Sequence, residues 1–120
     1  CKIAPFFYTP MEAKSFISSL DGLMSSRMHC CIGAYSSGVP VFTLGYSRKF
    51  NGLFEETLNY PYGTDLRKDS MLEIMNKVDK FLSSLDAITT QMPDRNRFVK
   101  EQKEKFIQTL THTIELCIKK

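Results

Sequence analysis

Short apolar runs alternate with helical patterns along the chain, the order expected of βαβ units and a parallel sheet. Residues 2–7 read as a first short strand. Thr9, Pro10 and Glu12 then combine three helix-start signals: a capping hydroxyl, a proline suited to the first helical position, and an acid placed for a capping box. Ala13, Phe16, Ile17 and Leu20 form the apolar stripe of that helix, and Asp21-Gly22 end it. Leu23-Met24 with their flanks predict a short buried strand. Ser25 and Ser26 are placed to cap a helix over residues 27–37, with Met28, Cys31, Ile32 and Tyr35 facing the sheet. Gly38 supplies a left-handed stop with Pro40 just beyond it, residues 39–44 read as another buried strand, and Gly45 frees the backbone at its end.

The second half reads less evenly. A short helical stretch covers residues 50–58, and residues 59–65 have the composition of a loop, in which Tyr60, Tyr62 and Gly63 suit an ordinary turn better than a loop over the cleft. Ser70 and Glu73 form a second capping box, opening a helix with an apolar face of Met71, Ile74, Met75, Val78, Leu82 and Leu85. Residues 91–94 read as a connector, and Asp94 as the cap of a long final helix. The stripe of that helix is Phe98, Phe106, Ile107, Leu110, Ile114, Cys117 and Ile118. The expected fold class is therefore α/β: a small Rossmann-like three-layer unit with a short parallel sheet over residues 1–93. A long amphipathic helix over 94–120 follows, packing on that unit or on a neighbouring domain.

Composition narrows the class. Hydrophobic residues make up 42% and charged residues 24% of the 120, ordinary values for one globular domain with a modest core. No apolar run approaches the ~18 residues a membrane-crossing helix needs. The chain opens on Cys1 with no signal-peptide pattern, which reads as a piece of a longer protein. The net charge of +3 arises entirely after Pro93, where seven basic residues face four acidic ones; before it, nine of each cancel. So weak a bias, without a recognition motif, does not indicate nucleic-acid binding. Cys1, Cys30, Cys31 and Cys117 lack the Cys/His spacing of a zinc site and read as reduced thiols buried as small hydrophobes, which fits a reducing cytoplasm. Asp65, Asp69 and Asp79 show no metal-ligand pattern, and His112 falls on the polar side of the final helix.

The chemistry concentrates in residues 21–49. A strand runs into Ser25-Ser26, and Arg27-Met28-His29 opens the next helix. Ligands of open α/β sheets sit beyond the carboxyl ends of the strands, where the helix N-terminus favours an anion. A cation in a first turn is unfavourable by roughly 0.3–1 kcal/mol, so Arg27 calls for a reason, and its planar fork matches a carboxylate or phosphate. His29 is placed beside the same site, where it can donate to an oxygen or transfer a proton near neutral pH. Met28 turns inward as packing. Alone, Arg-x-His is compatible equally with an ion pair and a surface histidine.

The run Ser26-Arg27-Met28-His29, with Ile32 and Ala34, then Gly38-Val39-Pro40-Val41, Gly45-Tyr46 and Lys49, resembles polysaccharide pyruvyl transferases. The resemblance implies a GT-B-like architecture of two Rossmann-type halves, this chain being the C-terminal one. It implies phosphoenolpyruvate as donor substrate, with no further cofactor, and a saccharide of a surface or cell-wall polymer as acceptor. Arg27, Met28 and His29 map onto the family's donor-binding motif, with His29 the candidate catalytic group. Ser26, Tyr46 and Lys49 match family positions and join the substrate-binding set. The family draws a further basic residue from its N-terminal half, so the chain alone is expected to be inactive. The expected location is the cytoplasm, with contact to the inner face of the membrane where the acceptor is lipid-linked. Two other readings compete: the donor half of a sugar-nucleotide glycosyltransferase, which would more usually show a glycine-rich turn in place of Ser-Ser-Arg-Met-His, and a non-enzymatic anion-binding module.

Overall fold

The computed structural model describes residues 1–119. Its centre is a three-stranded, all-parallel sheet in the order β1-β2-β3, with β1 at Leu23–Ser25, β2 at Val41–Gly45 and β3 at Gly63–Asp65. Helix α1 (Pro10–Ser18) precedes β1, α2 (Met28–Ser36) joins β1 to β2, and a short α3 (Arg48–Phe50) continues into a π-helical segment (Asn51–Thr57) before β3. Helices α4 (Met71–Ser83) and α5 (Leu85–Ile118) complete the chain. The α/β class, the parallel sheet and the long final helix expected from the sequence are all present. No described helix is long and apolar enough to cross a membrane.

The helix starts follow the local chemistry. Thr9 Oγ1 accepts from the Glu12 N–H at 3.2 Å, with Pro10 at the first helical position. Ser70 and Glu73 close a reciprocal capping box on α4. Gly38 ends α2 in the left-handed region at φ 79°.

Val41, Phe42 and Thr43 are buried in succession, so both faces of β2 are covered, as in a parallel sheet with helices on each side. Helix α4 sets Phe81 against Phe42 and Tyr62, and Tyr35 of α2 meets Phe54 and Tyr60 edge-on. One side chain organises this core. The Tyr60 hydroxyl donates to the Val41 carbonyl at 2.7 Å and accepts the Val41 N–H at 3.0 Å. Two residues on, the Tyr62 carbonyl takes the Thr43 N–H, and ladder pairing of β2 with β3 begins at Thr43 and Gly63. Tyr60 thus serves as a strand partner one step before β3 starts. At Gly63 the two strands lie so close that a side-chain Cβ would collide with Thr43 Oγ1.

Several sequence expectations are corrected. Residues 2–7 form no strand; without a neighbouring strand, their backbone gains no ladder bonds. The third strand instead comes from the stretch read as a loop, where burial of Tyr60 and Thr64 outweighs turn-like composition. Strand β2 lies at Val41–Gly45 rather than 39–44, with Val39 and Pro40 buried ahead of it. In α2 the buried face is Cys31, Ala34 and Tyr35, while Ile32 is exposed. In α4 it centres on Phe81 with Ile74 and Val78 half-buried, and Met71, Met75 and Leu82 face outward.

Residues 91–94 are not a connector, and Asp94 caps nothing: α5 runs unbroken through Pro93. Proline removes one helical N–H, but the helix is pinned on both sides of it. Ile88 and Met92 are buried before it. After it, Asn96 Nδ2 donates to the Tyr35 carbonyl at 2.9 Å, and Arg95 donates to the Asn59 carbonyl at 3.0 Å with its guanidinium over the Tyr60 ring. From Lys100 to Lys119 every residue is exposed, and the stripe from Phe98 to Ile118 finds no partner among the described residues.

Two outcomes test this account. Tyr60→Phe leaves the buried Val41 N–H and C=O without their partner and should lower stability by about 1–3 kcal/mol, whereas Tyr62→Phe should cost less; equal urea midpoints for Tyr60→Phe and wild type would refute the bridging role. At the end of β3, Asp69 accepts from Lys77 Nζ, the Thr64 hydroxyl and the Asp65 N–H, and these bonds, Lys77 first, hold its carboxyl below the usual carboxylate range. A carboxyl lowered in the folded state stabilises at neutral pH, and the contribution fades as pH falls below about 4. Asp69→Asn should therefore be less stable at pH 7 and decline less between pH 4 and 2, read from urea midpoints across that range.

Candidate functional site

The carboxyl ends of β1 and β2 open on one side of the sheet, and the segments that leave them line a single cavity of about 420 Å³. From the first segment come Arg27, Met28, His29 and Cys30; from the second come Tyr46, Ser47, Lys49 and Phe50. Three side chains able to carry positive charge, Arg27, His29 and Lys49, thus share one space although 20 residues separate Lys49 from His29.

The local chain geometry explains the placement. Arg27 is the N-cap of α2, with extended backbone at φ −95° and ψ 115°, and the helix begins at Met28. This corrects the expectation that Arg27 lies inside a helix capped by Ser25 and Ser26. Ser25 Oγ instead accepts the Arg27 N–H at 3.0 Å and turns the chain out of β1. No side chain caps α2, so the N–H groups of its first turn are left to solvent or to a ligand, with the positive end of the helix dipole behind them. As N-cap, Arg27 keeps its side chain free of the helical turn, and both Arg27 and His29 are exposed toward the cavity while Met28 packs on the core. Ser26 is exposed but does not line the cavity.

The second wall follows from Gly45 and Phe50. Phe50 is buried and comes so close to Gly45 that a Cβ there would lie 3.1 Å from Phe50 Cβ and 3.2 Å from the Thr64 carbonyl oxygen. The residues between them, Tyr46 to Lys49, are thereby drawn over the end of β2. Tyr46 is 60% exposed, with its ring centroid 5.7 Å from that of Phe50.

The cysteines divide. Only Cys31 is buried, contrary to the expectation for all four; Cys1 and Cys117 are exposed and Cys30 is partly so. Burial, reinforced by neighbouring Cys30, pushes the Cys31 thiol up to about 11, and its Sγ donates to the Ser25 carbonyl at 3.5 Å. Cys31 is therefore an inert packing group, whereas Cys30 reaches the cavity. Cys30, Ser47 and Phe50 escaped the sequence reading. The helical repeat from Arg27 to Cys30 was the available signal for Cys30; Phe50 needed the contact with Gly45.

Elsewhere the carboxylates are structural. Arg67 binds Asp65 through Nε and Nη2 at 3.0 and 2.8 Å and holds its carboxyl far below the usual range. His112 is exposed on α5. Among the described residues no three His, Cys, Asp or Glu side chains gather as a metal site.

Arg27, His29 and Lys49, the residues expected to meet an anion, thus lie beyond the strand ends of a parallel sheet, where open α/β sheets hold their ligands. Residues 1–48 match the family model of polysaccharide pyruvyl transferase, a transferase family. The match includes Arg27 to Cys30, Tyr46 and Ser47, and stops one residue short of Lys49. No curated protein and no solved structure matches the chain.

A cavity of this kind should bind inorganic phosphate, with backbone amide shifts concentrated at Met28, His29 and Cys30. Arg27→Ala removes a charge-assisted hydrogen bond of about 1.5–3 kcal/mol, so the affinity should drop roughly tenfold or more. Shifts spread evenly over the surface, unchanged in Arg27→Ala, would contradict the site.

Proposed function

We propose that the chain is the donor-binding half of a polysaccharide pyruvyl transferase, holding phosphoenolpyruvate between Arg27, His29, Lys49 and the first turn of α2. One observation carries the reading: the Arg27 and His29 of the matched segment open into the same cavity as Lys49. Phosphoenolpyruvate brings a phosphate and a carboxylate, and three dispersed donors of positive charge suit two anionic groups better than a single site would.

In this reading the reaction begins with a proton delivered to the methylene carbon of the donor, which makes its central carbon electrophilic. A sugar hydroxyl attacks that carbon and gives up its proton to the phosphate that will leave. Phosphate then departs with the C–O electron pair, and a second hydroxyl of the same sugar closes the ketal and releases its proton. Arg27 and the α2 N-terminus hold the anionic groups and stabilise charge on the departing phosphate. His29 serves as the proton-transfer group or hydrogen-bonds the leaving phosphate. No cofactor beyond the donor is required.

The remaining parts follow from the same proposal. A second α/β half completes a GT-B-like cleft and contributes a further cation, and the exposed stripe of α5 (Phe106, Leu110, Ile114) offers it an apolar face. The acceptor is a saccharide, in lipid-linked form where the enzyme works at the cytoplasmic face of a membrane. The sugar-nucleotide alternative gains no support from the passage from β1 into α2, which reads Ser-Ser-Arg-Met-His and lacks glycine.

The test is kinetic. In the full-length enzyme, His29→Ala should lower turnover by about 10²–10⁴-fold, measured as phosphate release from phosphoenolpyruvate in the presence of acceptor, while Arg27→Ala should mainly raise the donor KM. Donor binding and turnover both unchanged in His29→Ala would overturn the assignment.

A further inference from the structure

Tyr46 stands out within the cavity, because a large aromatic ring is left 60% exposed in a space that Arg27, His29 and Lys49 also line. Its orientation is not left to chance. Phe50, only 3% exposed and lodged against Gly45, meets the Tyr46 ring at 5.7 Å with an interplanar angle of 57°. Phe50 thus supports one part of the ring and leaves the rest open at the cavity rim.

The ring is a poor partner for the donor. The face of an aromatic ring carries the negative end of its quadrupole, which disfavours a phosphate or carboxylate lying over it. The same face suits a group that is uncharged and presents weakly positive C–H bonds, and the apolar side of a pyranose does so. Polar reach is close by. Ser47 lines the same cavity and makes no side-chain capping bond to α3, so its hydroxyl is available to a sugar hydroxyl. Arg27 and His29 come from the wall at the start of α2, and the open ring and its neighbouring hydroxyl come from the other wall, which also carries Lys49, so the cavity offers both charged and aromatic surface.

We infer that Tyr46 is the acceptor platform of this site: the C–H face of a neutral pyranose stacks on its ring, which sets the sugar hydroxyls over the pocket formed by Arg27, His29 and Lys49. The inference rests on the donor reading above and assigns the second substrate to a particular side chain. Tyr46 acts as a specificity-determining residue here. Its contribution comes from the ring, so phenylalanine should replace it and a small side chain should not.

Saturation-transfer NMR on the 120-residue chain tests this, with methyl β-galactopyranoside, methyl β-glucopyranoside and methyl α-mannopyranoside as probes. Wild type and Tyr46→Phe should transfer saturation to the C–H protons of one sugar face for at least one probe, and Tyr46→Ala should reduce that transfer at least fivefold. A Tyr46→Ala spectrum with native amide dispersion certifies the fold, as expected for so exposed a side chain. The inference is overturned if Tyr46→Ala keeps the full transfer, if Tyr46→Phe loses as much as Tyr46→Ala, or if wild type binds none of the three sugars. A separate titration of wild type with phosphoenolpyruvate isolates the donor reading: no donor binding alongside a Tyr46-dependent sugar signal would sink that reading and leave the platform standing.

Discussion

The hydroxyl of Tyr60 is the contact on which the rest of the sheet depends. A parallel strand must satisfy its backbone on both edges, and β2 is the central strand of three. Its first residue, Val41, lies ahead of the point where β3 begins to pair, and the Tyr60 hydroxyl takes both of Val41's backbone groups there. Burial raises the Tyr60 phenol, so the hydroxyl keeps the proton it donates. The same ring meets that of Tyr35 from α2 at a near-perpendicular angle and lies under the guanidinium of Arg95 from α5. One side chain therefore sets where β3 starts and fastens two helices to it.

This arrangement reaches the candidate site through β2. With the start of β2 held by Tyr60, its far end at Gly45 accepts the Leu66 N–H at 2.8 Å and packs under Phe50. Phe50 in turn fixes the stretch that carries Tyr46 and Lys49. The opposite wall needs less: β1, the Ser25 turn and α2 are consecutive in the chain and place Arg27 and His29 by local geometry.

That contrast explains what was legible in the sequence. The α1 and α4 caps, the stop at Gly38 and the placing of Met28 and His29 in the first turn of a helix after β1 depend on neighbours a few residues away, and pattern reading found them. The third strand and the buried side of α4 did not show, because they depend on partners far along the chain. Tyr60 looked like a turn residue until Val41 needed it, and Phe81 lay outside the apparent stripe until Phe42 and Tyr62 covered it. Continuity of α5 through Pro93 was hidden for the same reason, since Asn96 and Arg95 tie it to the distant carbonyls of Tyr35 and Asn59. At the site, Arg27, His29, Tyr46 and Lys49 were nameable from the sequence, whereas Cys30, Ser47 and Phe50 were not.

The order β1-β2-β3 repeats the order of the chain, and this has a consequence for how the fold is assembled. Leu23 pairs with Val41, 18 residues on (41 minus 23), and Thr43 with Gly63, 20 residues on (63 minus 43). Each closure spans a short loop of almost the same length, so the two carry nearly equal entropic costs. No strand has to wait for a distant segment of the chain to find its neighbour. The Arg27 wall belongs to the first closure and the Lys49 wall to the chain between the two, so the cavity is complete once the second closure has formed, before the projecting end of α5 has any role.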